Sequence, residues 1–169
     1  MKTDGCIASK GGTGVWNVSL GDWDPSLETG MERIDRQHQA LFEQIRILLD
    51  RTKSDRIQET LKFMAAYAVE HFKTEEELHQ ETDYPRTEEH FAMHNQFVAV
   101  FGGLNREYGD SEHSLPILMK LTKFLLTWLK EHIREQDQEF ADYFHLLRRP
   151  ESEDCEPRWA ENPIDGGQA

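Results

Sequence analysis

The sequence has little of what marks secreted or membrane proteins. Its 169 residues include only two cysteines, Cys6 and Cys155, which lie near opposite ends and form neither a disulfide framework nor a CxxC zinc pattern. This scarcity favours a reducing compartment. No run approaches the roughly 18 apolar residues of a membrane span, and residues 1–14 lack the apolar core of a secretory signal. We therefore expect a cytoplasmic protein without membrane insertion.

Positive charge is also scarce. The chain has 19 lysines and arginines against 32 acidic residues, which gives a formal net charge of −13. Non-specific nucleic-acid binding needs a basic surface, so this charge argues against that class of function. The length suggests a single domain that can bury a core.

Strand-like alternation is absent, and the chain instead shows helical periodicity. The pattern predicts an all-α protein, an up-down-up-down antiparallel four-helix bundle over residues 23–148. Residues 1–22 are interpreted as an N-terminal arm, and residues 149–169 as an acidic tail that we expect to be flexible. The four helical segments cover about residues 35–51, 55–82, 86–108 and 114–147.

Polar residues and glycine mark the predicted helix ends. Asp35 and Ser114 are candidate N-caps, and Gly109 is a candidate C-cap. The inward apolar seam of the first helix extends to Leu49, and that of the third helix includes Val98.

Five of the eight histidines lie on inward seams, together with two carboxylates. A single buried histidine is usually a core residue with a hydrogen-bond partner, but five on four converging helices need another explanation. A buried carboxylate without a cation is costly, and a metal would satisfy all seven groups at once. The candidate ligands are His38, His71, Glu75, His90, His94, His132 and Asp137.

Two pairs of candidate ligands have the spacing of chelating side chains. His90 and His94 are four residues apart, so they differ by about 40° around the helix axis and project to one side. His71 and Glu75 repeat this spacing on the preceding helix. Two imidazoles at this spacing can bind one ion.

The spacing of His132 and Asp137 is different. Five residues correspond to about 140° on a regular helix, which does not suit one face. Either the two side chains approach the site from its flanks, or a π-type bulge turns Asp137 inward.

The donor types restrict the metal without identifying it. Imidazole and carboxylate donors without thiolate suit iron, zinc, copper or manganese. Seven ligands are too many for one tetrahedral zinc, and they fit two ions that share two bridging carboxylates.

Four ordered pieces of sequence resemble the hemerythrin-like domain family, in particular the bacterial hemerythrins, over about residues 23–147. Each piece alone is weak, whereas the ordered set is highly specific. The pieces are Trp23…Ile34-Asp35-x-Gln37-His38, then His71-Phe72-x-x-Glu75-Glu76, then Tyr84-Pro85 with His90-x-x-x-His94, and finally Trp128-Leu129-x-x-His132-Ile133-x-x-x-Asp137.

The resemblance implies a non-haem di-iron centre, with two iron ions bridged by two carboxylates and an oxo or hydroxo group. One iron then has an open coordination position for dioxygen. By this resemblance, His90, His94 and His132 bind one iron, His38 and His71 bind the other, and Glu75 and Asp137 are the bridges.

The implied function is reversible dioxygen binding for transport, storage or local supply, without an enzymatic reaction. The apolar residues next to the ligands, Phe72, Trp128, Leu129 and Ile133, would form a dry oxygen pocket. Two alternatives are an oxygen or redox sensor that acts through a partner, and a di-iron oxidase or peroxidase. The sequence identifies no protein partner.

One position departs from the resemblance. His79 stands where many relatives have methionine, and we expect it to be a surface or bundle-end histidine and not a ligand. His113 and His145 lie in a loop and near a helix end, so they are left out of the predicted site.

Overall fold

A computed structural model describes residues 21–148. Most of the predicted arm and the whole predicted tail lie outside the described residues. The described part begins with a short 3-10 helix, Pro25–Leu27, and contains no strand. Its helices are α1 (Glu32–Leu49), α2 (Ile57–Glu81), α3 (Thr87–Asp110), α4 (Leu115–His132) and α5 (Gln138–Leu147), with a 3-10 segment Arg51–Arg56 before α2 and a π-helical segment Ile133–Asp137 before α5.

The long helices form an antiparallel four-helix bundle, which confirms the predicted fold class. Helix α1 packs against α2 and α4, and α3 packs against the same two helices, so each helix has its sequence neighbours beside it. The connections are short: residues 82–86 join α2 to α3, and residues 111–114 join α3 to α4. Because the direction alternates, the start of α1, the end of α2, the start of α3 and the end of α4 lie at one end of the bundle.

Two apolar clusters fill the interior. The larger cluster includes Phe42, Ile45 and Leu121, and the smaller one includes Ile34 and Phe140 at the other end of the bundle. The buried histidines lie between the two clusters. The large apolar area on both sides holds polar side chains in a region that water does not reach.

The π-helical segment resolves the spacing problem of the fourth helix. The amide of Gln138 donates to the carbonyl of Ile133, five residues earlier, so α4 continues into α5 through one wide turn. The bulge turns Asp137 into the interior, where its Oδ1 lies 3.2 Å from His132 Nε2 and its side chain is fully buried. Of the two arrangements that the sequence leaves open, the structure has the π-type bulge.

The predicted start of α1 was wrong. The helix begins at Glu32 after Met31, one turn before Asp35. The Asp35 carboxylate instead reaches back and accepts hydrogen bonds from the Thr29 amide at 2.8 Å, the Thr29 hydroxyl at 2.9 Å and the Gly30 amide at 3.0 Å. Gly30 has a φ of 75°, and a Cβ there would lie 3.0 Å from the ring of His145. This aspartate therefore fixes the loop before the helix.

The predicted end of α3 was also wrong. Gly109 lies inside the helix, which ends at Asp110, and the turn that follows uses Glu112 and His113 at positive φ. Ser114 occupies the N-cap position of α4, but its side chain makes no capping hydrogen bond.

Two seam predictions fail as well. Leu49 and Val98 are exposed, with 37% and 46% of their surface accessible. Leu49 is the last residue of α1, where the neighbouring helices no longer cover it.

Candidate metal centre

All seven predicted ligands lie together at one level of the bundle. They come from α1, α2, α3, α4 and the π-helical segment, and each is at least 96% buried. Their potential ligand atoms form two overlapping groups, in each of which all atoms lie within 4.8 Å of one another and could hold a metal ion. The first group is Glu75, His90, His94 and His132, and the second is His38, His71, Glu75 and Asp137.

Glu75 faces both groups of histidines with different oxygens. Its Oε1 lies 3.6 Å from His71 Nε2. Its Oε2 lies 3.1 Å from His94 Nε2 and 3.6 Å from His90 Nε2. One carboxylate thus presents one oxygen to each side of the cluster.

Asp137 has the same arrangement from the opposite side. Its Oδ2 lies 3.2 Å from His38 Nε2. Its Oδ1 lies 3.2 Å from His132 Nε2 and 3.4 Å from His90 Nε2. The two carboxylates therefore stand between three histidines on one side and two on the other.

Hydrogen bonding within the protein does not satisfy these atoms. Among the described residues, both oxygens of Glu75 and Asp137 and both ring nitrogens of His38 are buried without a hydrogen-bond partner. His132 Nε2 lies 2.9 Å from His94 Nε2 and 3.1 Å from His90 Nε2. Three imidazole nitrogens at such distances cannot all be satisfied by ring protons, whereas a cation can accept all three lone pairs. The donor set thus fits metal ions with nitrogen and oxygen ligands.

The protonation states suit metal binding in most of the cluster. Burial lowers the pKa of His71 to about 4 and also lowers the pKa of His94, so both rings are neutral at pH 7. Burial opposes ionisation of Glu75, but the neighbouring histidines outweigh it and hold the pKa of this carboxyl well below its usual range. At His132, burial favours the neutral ring, but the Asp137 carboxylate outweighs it and raises the pKa. Metal binding would therefore release a proton where His132 is charged.

Gln37 orients one of the histidines, a role that the sequence did not reveal. Its Oε1 lies 3.2 Å from His71 Nδ1, and its Nε2 donates to Thr74 Oγ1 at 3.1 Å. Because Oε1 can only accept, His71 carries its proton on Nδ1, which leaves Nε2 free to bind a metal. Gln37 stands beside His38 in the sequence. Only the fold shows that its side chain forms a hydrogen bond with His71 on the next helix.

Aromatic rings lie against the cluster where apolar residues were predicted. The Phe72 ring stacks on His94 with centroids 3.9 Å apart, and the Trp128 ring stacks on His132 at 4.3 Å. Phe72, Trp128 and Leu129 also line an internal cavity of about 20 Å³ whose walls are apolar. Ile133 is fully buried in the same core but lies outside the lining of this cavity. The remaining lining residues are Leu41, Ile45, Met64, Ala68, Phe97, Phe101 and Leu125.

Of the two positions expected for His79, the surface was wrong, although the residue does lie near the end of α2, which finishes at Glu81. Its side chain is fully buried, and its ring packs 4.0 Å from Phe140, 4.8 Å from Tyr84 and 4.6 Å from His90 between ring centroids. Both ring nitrogens lack a hydrogen-bond partner among the described residues. His79 belongs to neither group of potential ligand atoms. It lies one turn beyond Glu75 on α2, and the smaller apolar cluster covers it there.

The other two excluded histidines lie away from the centre. His145 pairs through Nε2 with the Thr29 carbonyl at 2.9 Å, which ties the loop before α1 to α5. His113 packs against Tyr108 at the opposite end of the bundle.

Comparison with known proteins gives a consistent result. The model of the family described as Hemerythrin HHE cation binding domain matches residues 29–144. A bacteriohemerythrin of Clostridium acetobutylicum is 28% identical over 127 residues, which cover 71% of this chain and 98% of the relative. A bacteriohemerythrin of Stenotrophomonas maltophilia is 31% identical over 71% of this chain and 78% of the relative. A myohemerythrin of Theromyzon tessulatum is 29% identical over 68% of this chain and 86% of the relative.

Over residues 21–148, no helix combines the length and the apolar character that crossing a bilayer requires. The family match covers most of the bundle and includes all seven clustered side chains. The chain therefore belongs to the hemerythrin family of cation-binding domains.

Proposed function

We propose that this protein binds dioxygen reversibly at a pair of iron ions, for transport, storage or local supply. The observation that carries the proposal is the arrangement of the two carboxylates. Glu75 and Asp137 each have one oxygen within 3.6 Å of two of the three histidines on one side, and the other oxygen within 3.6 Å of one histidine on the other side. When bound, the iron pair supplies the two electrons that reversible dioxygen binding uses.

The seven side chains divide unequally, and we assign their roles from this division. His90, His94 and His132 would hold one ion, and His38 and His71 would hold the other. Glu75 and Asp137 would be shared by both ions and would cancel two of their positive charges, which lowers the cost of burying metal in a dry core. The side with two histidines has one protein ligand fewer, and a small molecule would bind there.

The apolar surroundings support binding over oxidation of an organic substrate. The cavity beside the cluster has a volume of about 20 Å³, whereas pockets for organic ligands have roughly 300–1,000 Å³. A diatomic gas suits this space far better than an organic molecule does. Phe72 and Trp128, which cover two of the histidine rings, exclude water and limit proton delivery, and this favours release of oxygen unchanged.

Rapid mixing of the anaerobically iron-loaded protein with oxygen tests this proposal. We expect the oxygenated absorption spectrum to form and then to disappear on removal of oxygen, over repeated cycles with constant amplitude. The matched control is Leu129→Ala, which enlarges the cavity and leaves all seven ligands in place, so it should bind oxygen but lose amplitude over the cycles. If the parent loses its ferrous state within one cycle and releases peroxide, an oxidase or peroxidase is the better interpretation.

A further inference from the structure

A wide apolar groove lies on the bundle surface, and none of the seven clustered side chains lines it. It opens between the end of α1 and most of the length of α4, and it has a volume of about 880 Å³. Lys120, Lys123 and Lys130 stand among its lining residues. Its apolar lining residues are Leu48, Leu49, Ile57, Leu115, Leu118, Met119 and Leu126.

The groove exposes large side chains that a folded protein normally covers. Leu49 is 37% exposed, Leu115 is 49% exposed and Met119 is 59% exposed. Single exposed apolar residues are ordinary, but three that line one groove form a contiguous patch, and such patches mark a docking surface.

The path of the chain points to what covers this groove. The Trp23 ring lies against His38 and Phe42 in the middle of α1, with centroids 6.3 Å and 5.4 Å apart. Two residues earlier, a Cβ at Gly21 would lie 3.0 Å from Leu49 Cδ1, at the end of the same helix. Followed backwards, the chain therefore runs along α1 towards the groove and reaches a residue that lines it.

On the side away from α1, the segment of residues 21–27 contacts the π-helical segment and α5. Asp24 lies 4.0 Å from Arg134, between their closest charged atoms, and the Ser26 carbonyl accepts a hydrogen bond from Gln138 at 2.7 Å. Residues 21–27 thus lie between α1 on one side and the helix formed by α4 and α5 on the other. The groove continues the same interface towards the end of α1 and the start of α4.

The sequence before Gly21 has the composition that the groove requires. Residues 15–20 read Val-Trp-Asn-Val-Ser-Leu, with four apolar residues out of six. Six extended residues span about 20 Å. The α4 wall of the groove, from Leu115 to Lys130, rises about 22 Å. The segment therefore matches the groove in character and in length.

We propose that residues 15–20 dock in this groove and continue the seam between α1 and α4. The acidic segment after Arg148 is the main rival, because the groove carries lysines. However, α5 ends beside the smaller apolar cluster, where Arg148 lies over the Phe144 ring, at the end of the bundle remote from the groove. The docked segment covers Met119 and fixes the α1–α4 seam over most of its length.

Oxidation of Met119 tests the docking in the full-length, metal-free chain. We compare Trp16→Asp with the matched control Trp159→Asp, which places the same change in the tail, and read methionine oxidation by peptide mass spectrometry after dilute peroxide. Because oxidation follows exposure, Met119 in Trp16→Asp should oxidise about fivefold faster than in the parent and in the control. Circular dichroism of all three proteins should be the same.

A cross-link makes the test independent of the stability of the variant. In a background of Cys6→Ser and Cys155→Ser, the pair Val18→Cys and Met119→Cys should form an intramolecular disulfide, and the pair Trp159→Cys and Met119→Cys should not. The proposal is overturned if Met119 in the parent oxidises as fast as in a peptide, or if only Trp159→Asp exposes it. It is also overturned if protection disappears on dilution, since a second copy of the chain then covers the groove.

Discussion

Replacing His79 with methionine should stabilise the metal-free protein. The ring of His79 is fully buried between Phe140 and Tyr84, and neither ring nitrogen has a partner among the described residues. A buried polar group without a hydrogen bond costs about 1–3 kcal/mol. Methionine has a similar length, removes both nitrogens and adapts to irregular apolar space. We therefore expect His79→Met to raise the free energy of unfolding at pH 7 by about 1–3 kcal/mol.

The gain should grow as the pH falls. Burial lowers the pKa of His79 to about 4, below its ordinary value of 6.5. Between these two values the unfolded chain binds a proton that the folded protein does not, so the parent loses stability as the pH falls from 6.5 to 4. The loss is about 1.4 kcal/mol per pH unit, which adds about 2 kcal/mol to the advantage of the variant by pH 5. His71 has a similar shift in both proteins and cancels in the comparison.

Urea denaturation of the two metal-free proteins at pH 7 and pH 5, followed by circular dichroism, measures both effects. His113→Asn is the control, because it removes an exposed histidine from a left-handed turn that asparagine also adopts. Its stability relative to the parent should not change between the two pH values. If His79→Met is less stable than the parent at pH 7, or if its advantage is the same at both pH values, the account of His79 as an unpartnered neutral ring is refuted.

Four further experiments test the ligand assignment and the residues that support it. Glu75→Ala and Asp137→Ala should each lose more iron than His38→Ala, because a bridging carboxylate holds both ions and a terminal ligand holds only one. Metal analysis after gel filtration measures the loss, and equal losses would contradict the assignment of bridges. Gln37→Leu removes the group that fixes the proton on the neighbouring histidine, so iron affinity, measured by competition with a chelator, should fall about 10- to 100-fold. Leu129→Ala enlarges the dry cavity and should speed autoxidation, followed by absorbance, while the iron content stays at the parental level. Removal of iron should lower the melting temperature of the parent, since buried imidazoles and carboxylates then lose their partners, and equal melting temperatures would argue against metal binding by these residues.

Much of the fold could be predicted because it depends on periodicity over long segments. Apolar residues at helical spacing placed the four long helices within a few residues, and the inward seams of those helices contained six of the seven clustered side chains, all but Asp137. Seam membership is sufficient here, because helices of alternating direction bring their inner residues to a common level. The π-helical segment could be stated only as one of two alternatives, since the spacing of His132 and Asp137 shows a conflict with a regular helix but not how the chain resolves it.

The predictions failed where contacts between distant residues, and not the local sequence, determine the structure. Asp35 has the chemistry of an N-cap, but its carboxylate serves the loop one turn earlier, which becomes visible only when Thr29 and Gly30 fold back over the helix. Gly109 suits a helix end, yet α3 continues past it because the turn can use residues at positive φ after Asp110. His79 is expected at the surface or at the bundle end, but the aromatic residues that bury it come from three other segments of the chain, which its sequence neighbours do not reveal.

The most direct test of the central claim is the stoichiometry of oxygen uptake by the iron-loaded, fully reduced protein. Iron and protein are determined on the same sample, and oxygen uptake and release are measured with an electrode in a closed cell. The account predicts two irons per chain, one dioxygen bound per two irons, and return of that oxygen when the solution is purged with argon. One iron per chain, or consumption of oxygen that purging does not return, would contradict it.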